Sequence, residues 1–326
     1  MIQPVIAIHG GAGAMSRAAM SPEKEQEYLA ALESILTAGQ AVLARGGSAL
    51  DAVTEAVRLL EDCPLFNAGH GAVFTSAGTH ELDAAIMDGA TLRSGAIANV
   101  NCVRNPIFAA RKVMETSKHV FFVGEGAETF ARDAGLEIVD PSYFSTEARR
   151  EQLLRVQRET PEAAVLDHDG QAMVARGQPA PADPLDADKK FGTVGAVAVD
   201  AQGNLAAATS TGGITNKQVG RVGDAPLIGA GTYASNKTCA VSTTGTGEMF
   251  IRMVSAYDVA AQMEYCGASL EAAADRVVME KLPTIGGKGG LVAVDAQGNV
   301  ALPFNTEGMY RGYARVGEKP VTAIYR

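Results

Sequence analysis

Long apolar runs are missing from this 326-residue sequence: 47% of its residues are apolar, yet none of its stretches approaches the roughly twenty consecutive apolar residues that a membrane-spanning helix needs. Clusters of Lys and Arg are missing too, and the formal charge is −9, which argues against nucleic acid as a partner because phosphate binding relies on grouped cations. Cysteine is scarce: Cys63, Cys102, Cys239 and Cys266 share no C-x-x-C spacing and have no flanking histidines, so they form neither a zinc site nor a disulfide framework and are expected to be buried thiols. The five histidines, His9, His70, His80, His119 and His168, are scattered, which disfavours a histidine metal centre. The start, MIQPVIAIHGGAG, has no basic segment ahead of a long apolar one and reads as a short strand ending in a glycine loop. A water-soluble chain with a cytoplasmic location is expected.

What is there has a clear order. Ser21-Pro22, followed by acids and the periodic YLAALESILTAGQAVL, predicts a helix start, and Gly46-Gly47 its stop. Ser48 caps a second helix, ALDAVTEAVRLLED, halted by Cys63-Pro64, and the two helices are expected to pack antiparallel on a sheet. Residues 72–103 read as short strands broken by Gly and Asp, 106–116 as a helix, HVFFVG as a strand and 145–158 as a charged helix. From His168 to Lys190 large apolar residues almost vanish, which predicts a mobile loop longer than compact domains usually keep.

The octet VAVDAQGN occurs twice, at 197–204 and 292–299, each time between apolar strands, and both copies read as β-hairpins. Strands near 226–243 and two helices, EMFIRMVSAYDVAAQMEY and SLEAAADRVVMEKL, lie between them. This order suggests an α/β (α+β) fold with two sheets face to face and helices outside, a four-layer αββα sandwich.

The first hairpin sets a register. With Asp200 and Asn204 closing a three-residue loop whose last position is Gly203, counting back along both strands brings Thr193 opposite Thr211, on one face and about 5 Å apart at Cβ. Threonine is common in strands, and spacing alone favours a plain cross-strand hydrogen bond. Three neighbouring features point to chemistry instead. GRVGD places Arg221 and Asp224 in one loop, suited to the carboxylate and ammonium of a zwitterion, although the two could simply pair with each other on the surface. TTGTGEMFIRM ends a strand and opens a helix, so its glycine turn aims amide N–H groups at an anion or a developing oxyanion, or else is only a tight turn. The third feature is the polar stretch that runs into Gly192-Thr193. A threonine hydroxyl needs a base, and no His or Lys motif stands beside Thr193; its own α-amino group, with an ordinary pKa of about 7.7–8.0, would serve if the chain were cut before it. Glycine at 192 restricts that bond least.

These residues carry a resemblance. GTVGAVAVDAQGNLAAATSTGG, NKQVGRVGDAPLIGAG, TTGTGE, PLFNAGHGAVF and ALPFNTEGMYR together resemble the plant-type L-asparaginases/isoaspartyl peptidases of the N-terminal nucleophile hydrolase superfamily, and the likeness runs from VIAIHGGAG to the last strand. It implies a precursor that cuts itself between Gly192 and Thr193, giving an α subunit (1–192, with 168–192 as a flexible linker) and a β subunit (193–326). The two form one αββα domain, and two such αβ units pair as (αβ)2. Thr193 would be the nucleophile, with Thr211 orienting its hydroxyl. Arg221 would clamp the substrate α-carboxylate and Asp224 the α-ammonium, while Thr244 and the Gly245 amide would form the oxyanion hole and Gly247 would complete the pocket. Asn67 would face the site, and His9 to Gly13 would lie near the nucleophile and influence the cut. The Leu60–His70 loop would wrap a structural Na+ with the main-chain carbonyls of Leu60, Glu61, Cys63, Phe66, Ala68 and His70, the last replacing an expected aliphatic residue. Catalysis would need no cofactor. The implied substrates are L-asparagine and β-aspartyl dipeptides; a glycosylasparaginase-like amidohydrolase and an uncleaved amino-acid-binding protein are the alternatives.

Overall fold

The computed structural model describes residues 2–13, 15, 20–159 and 192–326; the expected loop from His168 to Lys190 lies outside the described residues. The first two helices begin and end as their capping chemistry requires. In α1 (Pro22–Ala44) the Ser21 hydroxyl accepts from the Lys24 N–H, proline occupies the first turn, and Glu23 and Glu25 sit at the positive end of the helix dipole. Helix α2 (Ala49–Asp62) is capped by Ser48 and stops where Cys63 turns extended ahead of Pro64. Its buried stripe, Ala49, Ala52, Val53, Ala56, Val57 and Leu60, has the three-and-four spacing of one helix face.

Two sheets follow from the strand pairing. The larger has eight strands in the order β12-β11-β1-β5-β6-β2-β3-β4, and the smaller four in the order β10-β9-β8-β7. In chain order the strands are β1 (Val5–Gly13), β2 (Leu82–Asp88), β3 (Ser94–Val100), β4 (Phe121–Val123), β5 (Val194–Val199), β6 (Leu205–Thr211), β7 (Thr232–Ala234), β8 (Cys239–Gly245), β9 (Gly289–Asp295), β10 (Val300–Ala301), β11 (Gly308–Arg315) and β12 (Val321–Tyr325). Helices α3 (Pro106–Thr116), α4 (Gly124–Asp133) and α5 (Glu147–Glu159) belong to the first half, and α6 (Gly247–Met253), α7 (Ser255–Cys266) and α8 (Leu270–Asp275) to the second.

Strand parity sorts the core into three layers. Ile6, Ile8, Val194, Ala196, Ala206 and Ala208 pack under α1 to α4. Their neighbours Val5, Ala7, Val197, Val199, Leu205 and Ala207 turn the other way and meet Ala240, Val292 and Val294 of the small sheet. The opposite face of that sheet, Cys239, Val241, Leu291 and Ala293, packs under α7 and α8. Successive strand residues point to opposite faces, so fully apolar strands are the signature of sheets covered on both sides. This is the expected αββα sandwich, and each fully buried Val or Leu contributes about 1.5–3 kcal/mol to it.

Both copies of VAVDAQGN are hairpins with one construction. Asp200 N–H donates to the Asn204 carbonyl at 3.0 Å and Asp295 N–H to the Asn299 carbonyl at 3.1 Å. Gly203 and Gly298 take the left-handed conformation, φ +82° and +83°. In the first hairpin Val194 pairs with Ser210 and Val199 with Leu205, the register inferred from the turn.

Local readings fail in five places. Residues 72–81 form no strand beyond an isolated bridge from Thr75 to Lys217. Helix α4 was not expected from GEGAETFARD, whose glycines are poor helix formers; Phe130 stacks on Phe122 at 5.0 Å and holds it to β4. The helix read across 248–265 is broken at Val254, φ +50°, into α6 and α7. The segment 269–282 leaves α-helical geometry after Asp275 and continues as π-helical turns over Arg276–Lys281. Cys102 and Cys239 are buried, but Cys63 is only partly covered and Cys266 is exposed, because it closes α7 at the surface.

Candidate active site

Thr193 stands one residue ahead of β5, on the face that looks into the space between the sheets. Its hydroxyl donates to Thr211 Oγ1 at 3.2 Å, and both side chains are buried. Thr211 Oγ1 also accepts from the Gly213 N–H at 2.9 Å. Asn67 braces the same turn from the first half of the chain: Nδ2 donates to the Gly213 carbonyl (2.6 Å), Oδ1 accepts from Val73 N–H (2.9 Å), and its own carbonyl accepts from Gly212 N–H (3.1 Å). Gly192 lies against Asn67 so closely that a Cβ there would fall 1.9 Å from Asn67 Cβ. Glycine at 192 is thus a packing requirement as well as a matter of backbone freedom.

A small cavity opens beside this pair, bordered by Gly192, Thr193, Thr211, Arg221, Asp224 and Gly245, with about 10 Å3 of free space. That is room for one water molecule. A larger groove of about 500 Å3, between α1, α2 and α3, contains none of the candidate residues. Arg221 and Asp224 are not an ion pair closed on itself. Arg221 donates from Nε and Nη2 to the carboxylate of Glu248, at 2.9 and 3.0 Å. Asp224 is buried and accepts from the Thr243 hydroxyl at 2.6 Å. Burial pushes its carboxyl up to about 6, against the opposing pull of the Thr243 hydrogen bond and the Arg221 charge. A Cβ at Gly247 would stand 2.8 Å from Arg221 Nη2 and 2.9 Å from Asp224 Oδ1, so only glycine lets the helix start come this close.

The small sheet supplies Thr244 and Gly245. Thr244 is fully buried, and its Oγ1 accepts from the Ala12 N–H of β1 at 3.3 Å, which leaves its own hydroxyl proton to be donated elsewhere. Gly245 backs onto Gly289, where a side chain would strike the Lys288 carbonyl at 2.2 Å. His9 lies beneath Thr193: Nδ1 is 2.9 Å from the Thr193 carbonyl oxygen and Nε2 2.9 Å from Ser242 Oγ. Ser242, Thr209, Thr232 and Glu248 were not singled out in the sequence. Thr209 and Ser242 were within reach of strand parity, standing two residues before Thr211 and Thr244 on the same faces.

The Leu60–His70 loop folds back on its own carbonyls. A Cβ on Gly69 would lie 2.4 Å from the Glu61 carbonyl oxygen, and one on Gly71 would lie 2.6 Å from that of Pro64 and 3.0 Å from that of Phe66. The carbonyls of Leu60, Glu61 and Cys63 each also accept one backbone N–H, from Cys63, His70 and Phe66. His70 contacts the Tyr143 carbonyl through Nδ1 at 2.6 Å. Among the described residues no cluster of His, Cys, Asp and Glu side chains could hold a metal ion. Backbone carbonyls gathered in one turn, each with a second lone pair, suit a hard cation that takes oxygen ligands rather than a soft metal. Beside it, the Glu61 carboxyl is buried, has Oε2 without a hydrogen-bond partner, and is pushed by burial up to about 8.

The asparaginase family profile matches residues 2–324 of the chain. The isoaspartyl peptidase of Escherichia coli is 61% identical over 326 residues, covering all of this chain and 97% of the relative. That of Salmonella typhimurium is 62% identical with both chains fully covered. A probable isoaspartyl peptidase/L-asparaginase 2 of Arabidopsis thaliana is 43% identical over 315 residues and 95% of each chain.

Proposed function

Because the chain belongs to the asparaginase family, we propose that it is an autoproteolytically activated amidohydrolase that releases L-aspartate from L-asparagine and from β-aspartyl dipeptides. The observation that carries this reading is the buried Thr193–Thr211 hydroxyl contact in a cavity also bordered by Gly192, Arg221 and Asp224. In the precursor, Thr193 Oγ adds to the Gly192 carbonyl carbon. The C–N bond breaks, the proton ends on the new amine, and water then cleaves the ester. The cut divides the chain into 1–192 and 193–326, and removal of Gly192 from the cavity wall opens space for substrate.

In the mature enzyme the Thr193 amine takes the hydroxyl proton, and Oγ attacks the side-chain carbonyl of the substrate. Asp224 holds the α-ammonium. Arg221, whose Nε/Nη2 edge is taken by Glu248, meets the α-carboxylate with its Nη1/Nη2 edge. Thr244 and the Gly245 N–H receive the oxyanion, and Thr211 orients the nucleophile. The leaving amine takes the proton back, and water hydrolyses the β-aspartyl ester. With both α groups held, only a side-chain carbonyl reaches Thr193, so ordinary α-peptides are not cut. No cofactor enters this chemistry. The carbonyls of the 60–70 loop would hold Na+, which would brace Asn67 within that loop. By the same likeness, two αβ units pair and the enzyme works in the cytoplasm; the described residues include no helix long and apolar enough to cross a membrane.

Denaturing electrophoresis with N-terminal sequencing tests the cut, and release of ammonia from asparagine and of leucine from β-aspartyl-leucine tests the reaction. A protein that turns over either substrate while position 193 remains internal to the chain overturns this mechanism.

A further inference from the structure

Five buried contacts run in series from the nucleophile into the inter-sheet layer. The Thr193 carbonyl oxygen is 2.9 Å from His9 Nδ1, His9 Nε2 is 2.9 Å from Ser242 Oγ, Ser242 Oγ is 2.7 Å from Thr209 Oγ1, Thr209 Oγ1 is 2.6 Å from Thr232 Oγ1, and Thr232 Oγ1 is 3.0 Å from the Ala225 carbonyl oxygen. The His9, Ser242, Thr209 and Thr232 side chains are fully buried. Both ends are carbonyls, which only accept. Thr209 Oγ1 also lies 3.3 Å from the Gly231 carbonyl oxygen, so a neutral imidazole and three hydroxyls hold four protons for six contacts, and two contacts must go without.

The vacancies cost least at Thr209–Gly231 and Thr232–Ala225, the two longest contacts, because a hydroxyl can rotate and share its proton whereas a ring nitrogen cannot. Every other proton then has one direction: Thr232 donates to Thr209, Thr209 to Ser242, Ser242 to His9 Nε2, and His9 Nδ1–H to Thr193. Burial holds the imidazole neutral, pushing it down to about 3. Gly195 leaves the space this needs, since a Cβ there would lie 2.0 Å from Ser242 Oγ and 2.6 Å from His9 Nε2.

We propose that His9 is a positioning residue for Thr193: its Nδ1–H holds the Thr193 carbonyl, and the Ser242–Thr209–Thr232 hydroxyl series fixes the ring in that tautomer. This rests on the proposed function. Once the bond before Thr193 is cut, that residue is tied to the fold by a single peptide bond, and the carbonyl clamp restrains the torsion that aims its hydroxyl and amine. The clamp therefore matters more in the mature enzyme than in the uncut chain.

Two variants separate this from a space-filling role. His9→Asn keeps an N–H at the place of Nδ1, whereas His9→Gln keeps a polar atom at the place of Nε2 and is nearer histidine in size. In matured enzyme, corrected for the cleaved fraction, kcat is expected to fall about 10–100-fold in His9→Gln and less than about 5-fold in His9→Asn, with KM little changed, the scale expected for slight misplacement of a reacting group. Equal losses, the reverse order or a loss confined to KM overturns the proposal. Nitrogen-15 histidine spectra of the wild-type protein at neutral pH decide the matter if neither variant matures. The resonance lost in His9→Asn should report a neutral ring protonated at Nδ1; protonation at Nε2 overturns the inference. A wild-type chain that neither cuts itself nor turns over substrate defeats the functional reading, while the tautomer measurement still tests the hydrogen-bond order.

Discussion

The two copies of VAVDAQGN are the same local structure in two different settings. Asp200 Oδ1 accepts from Gln202 and Asn204 N–H at 3.0 and 2.9 Å, and Asp295 Oδ1 accepts from Gln297 and Asn299 N–H at 2.9 Å each. Past the turns they part. The first hairpin lies mid-sheet, with β1 on one side and β2 on the other, and its free ends carry Thr193 and Thr211. The second ends at a sheet edge, where β10 is two residues long, and the place matching Thr193 is occupied by Lys288, ahead of Gly289 and Gly290, which press against β8 and Phe304. Turn chemistry sets a register; the neighbours decide whether that register carries a reaction.

The largest expected effect breaks the likeness at its ends. Thr193→Ala should leave one folded, uncut chain with activity reduced more than about 10^3-fold, the scale for losing a nucleophile, whereas Lys288→Ala should cut normally and keep activity within about 3-fold. Band patterns and turnover measure both. Next, Arg221→Ala should raise KM about 10–100-fold, the value of a charge-assisted pair, while cleavage proceeds, since the scissile bond has no α-carboxylate to clamp. Loss of cleavage there would make the loop structural.

A third prediction concerns pH. Asp224 is raised from 3.8 to about 6 by burial, and only its ionised form attracts an ammonium. Affinity for L-aspartate, measured as competitive inhibition, should weaken as pH falls through about 6 and Asp224 takes up its proton. A flat profile from pH 5 to 8 would remove Asp224 from the clamp. The smallest effect sharpens the comparison at the turns. Asp200 Oδ2 also accepts from the Ala49 N–H at the start of α2 at 3.1 Å, whereas among the described residues Asp295 Oδ2 accepts within its own turn, from Asn299 Nδ2 at 2.8 Å. Asp200→Ala should therefore cost about 1 kcal/mol more than Asp295→Ala in denaturant unfolding.

Much of this was legible in the residues. Caps at Ser21 and Ser48 mark two helices because a hydroxyl ahead of an apolar stripe satisfies orphan amides. Gly203 marks the hairpin because the loop's last position needs a left-handed residue. Other features were not. Helix α4 contradicts its own glycines, and Val254 interrupts a helix whose sequence shows no breaker. The Arg221–Glu248 pair and the Asn67–Gly192 contact join segments far apart in the chain, which no local pattern records.

By itself, the sequence determined the hairpin register that opposes Thr193 and Thr211, because a turn closed by Asp and Gly and a side-chain period of two are properties of neighbouring residues. Tertiary structure alone decided that His9 reaches Thr193 from a neighbouring strand with Ser242 of the other sheet behind it, and that Asn67 leaves position 192 no room for a side chain. Those meetings come from two sheets packing face to face, and packing is settled by contacts between residues that the chain itself keeps far apart.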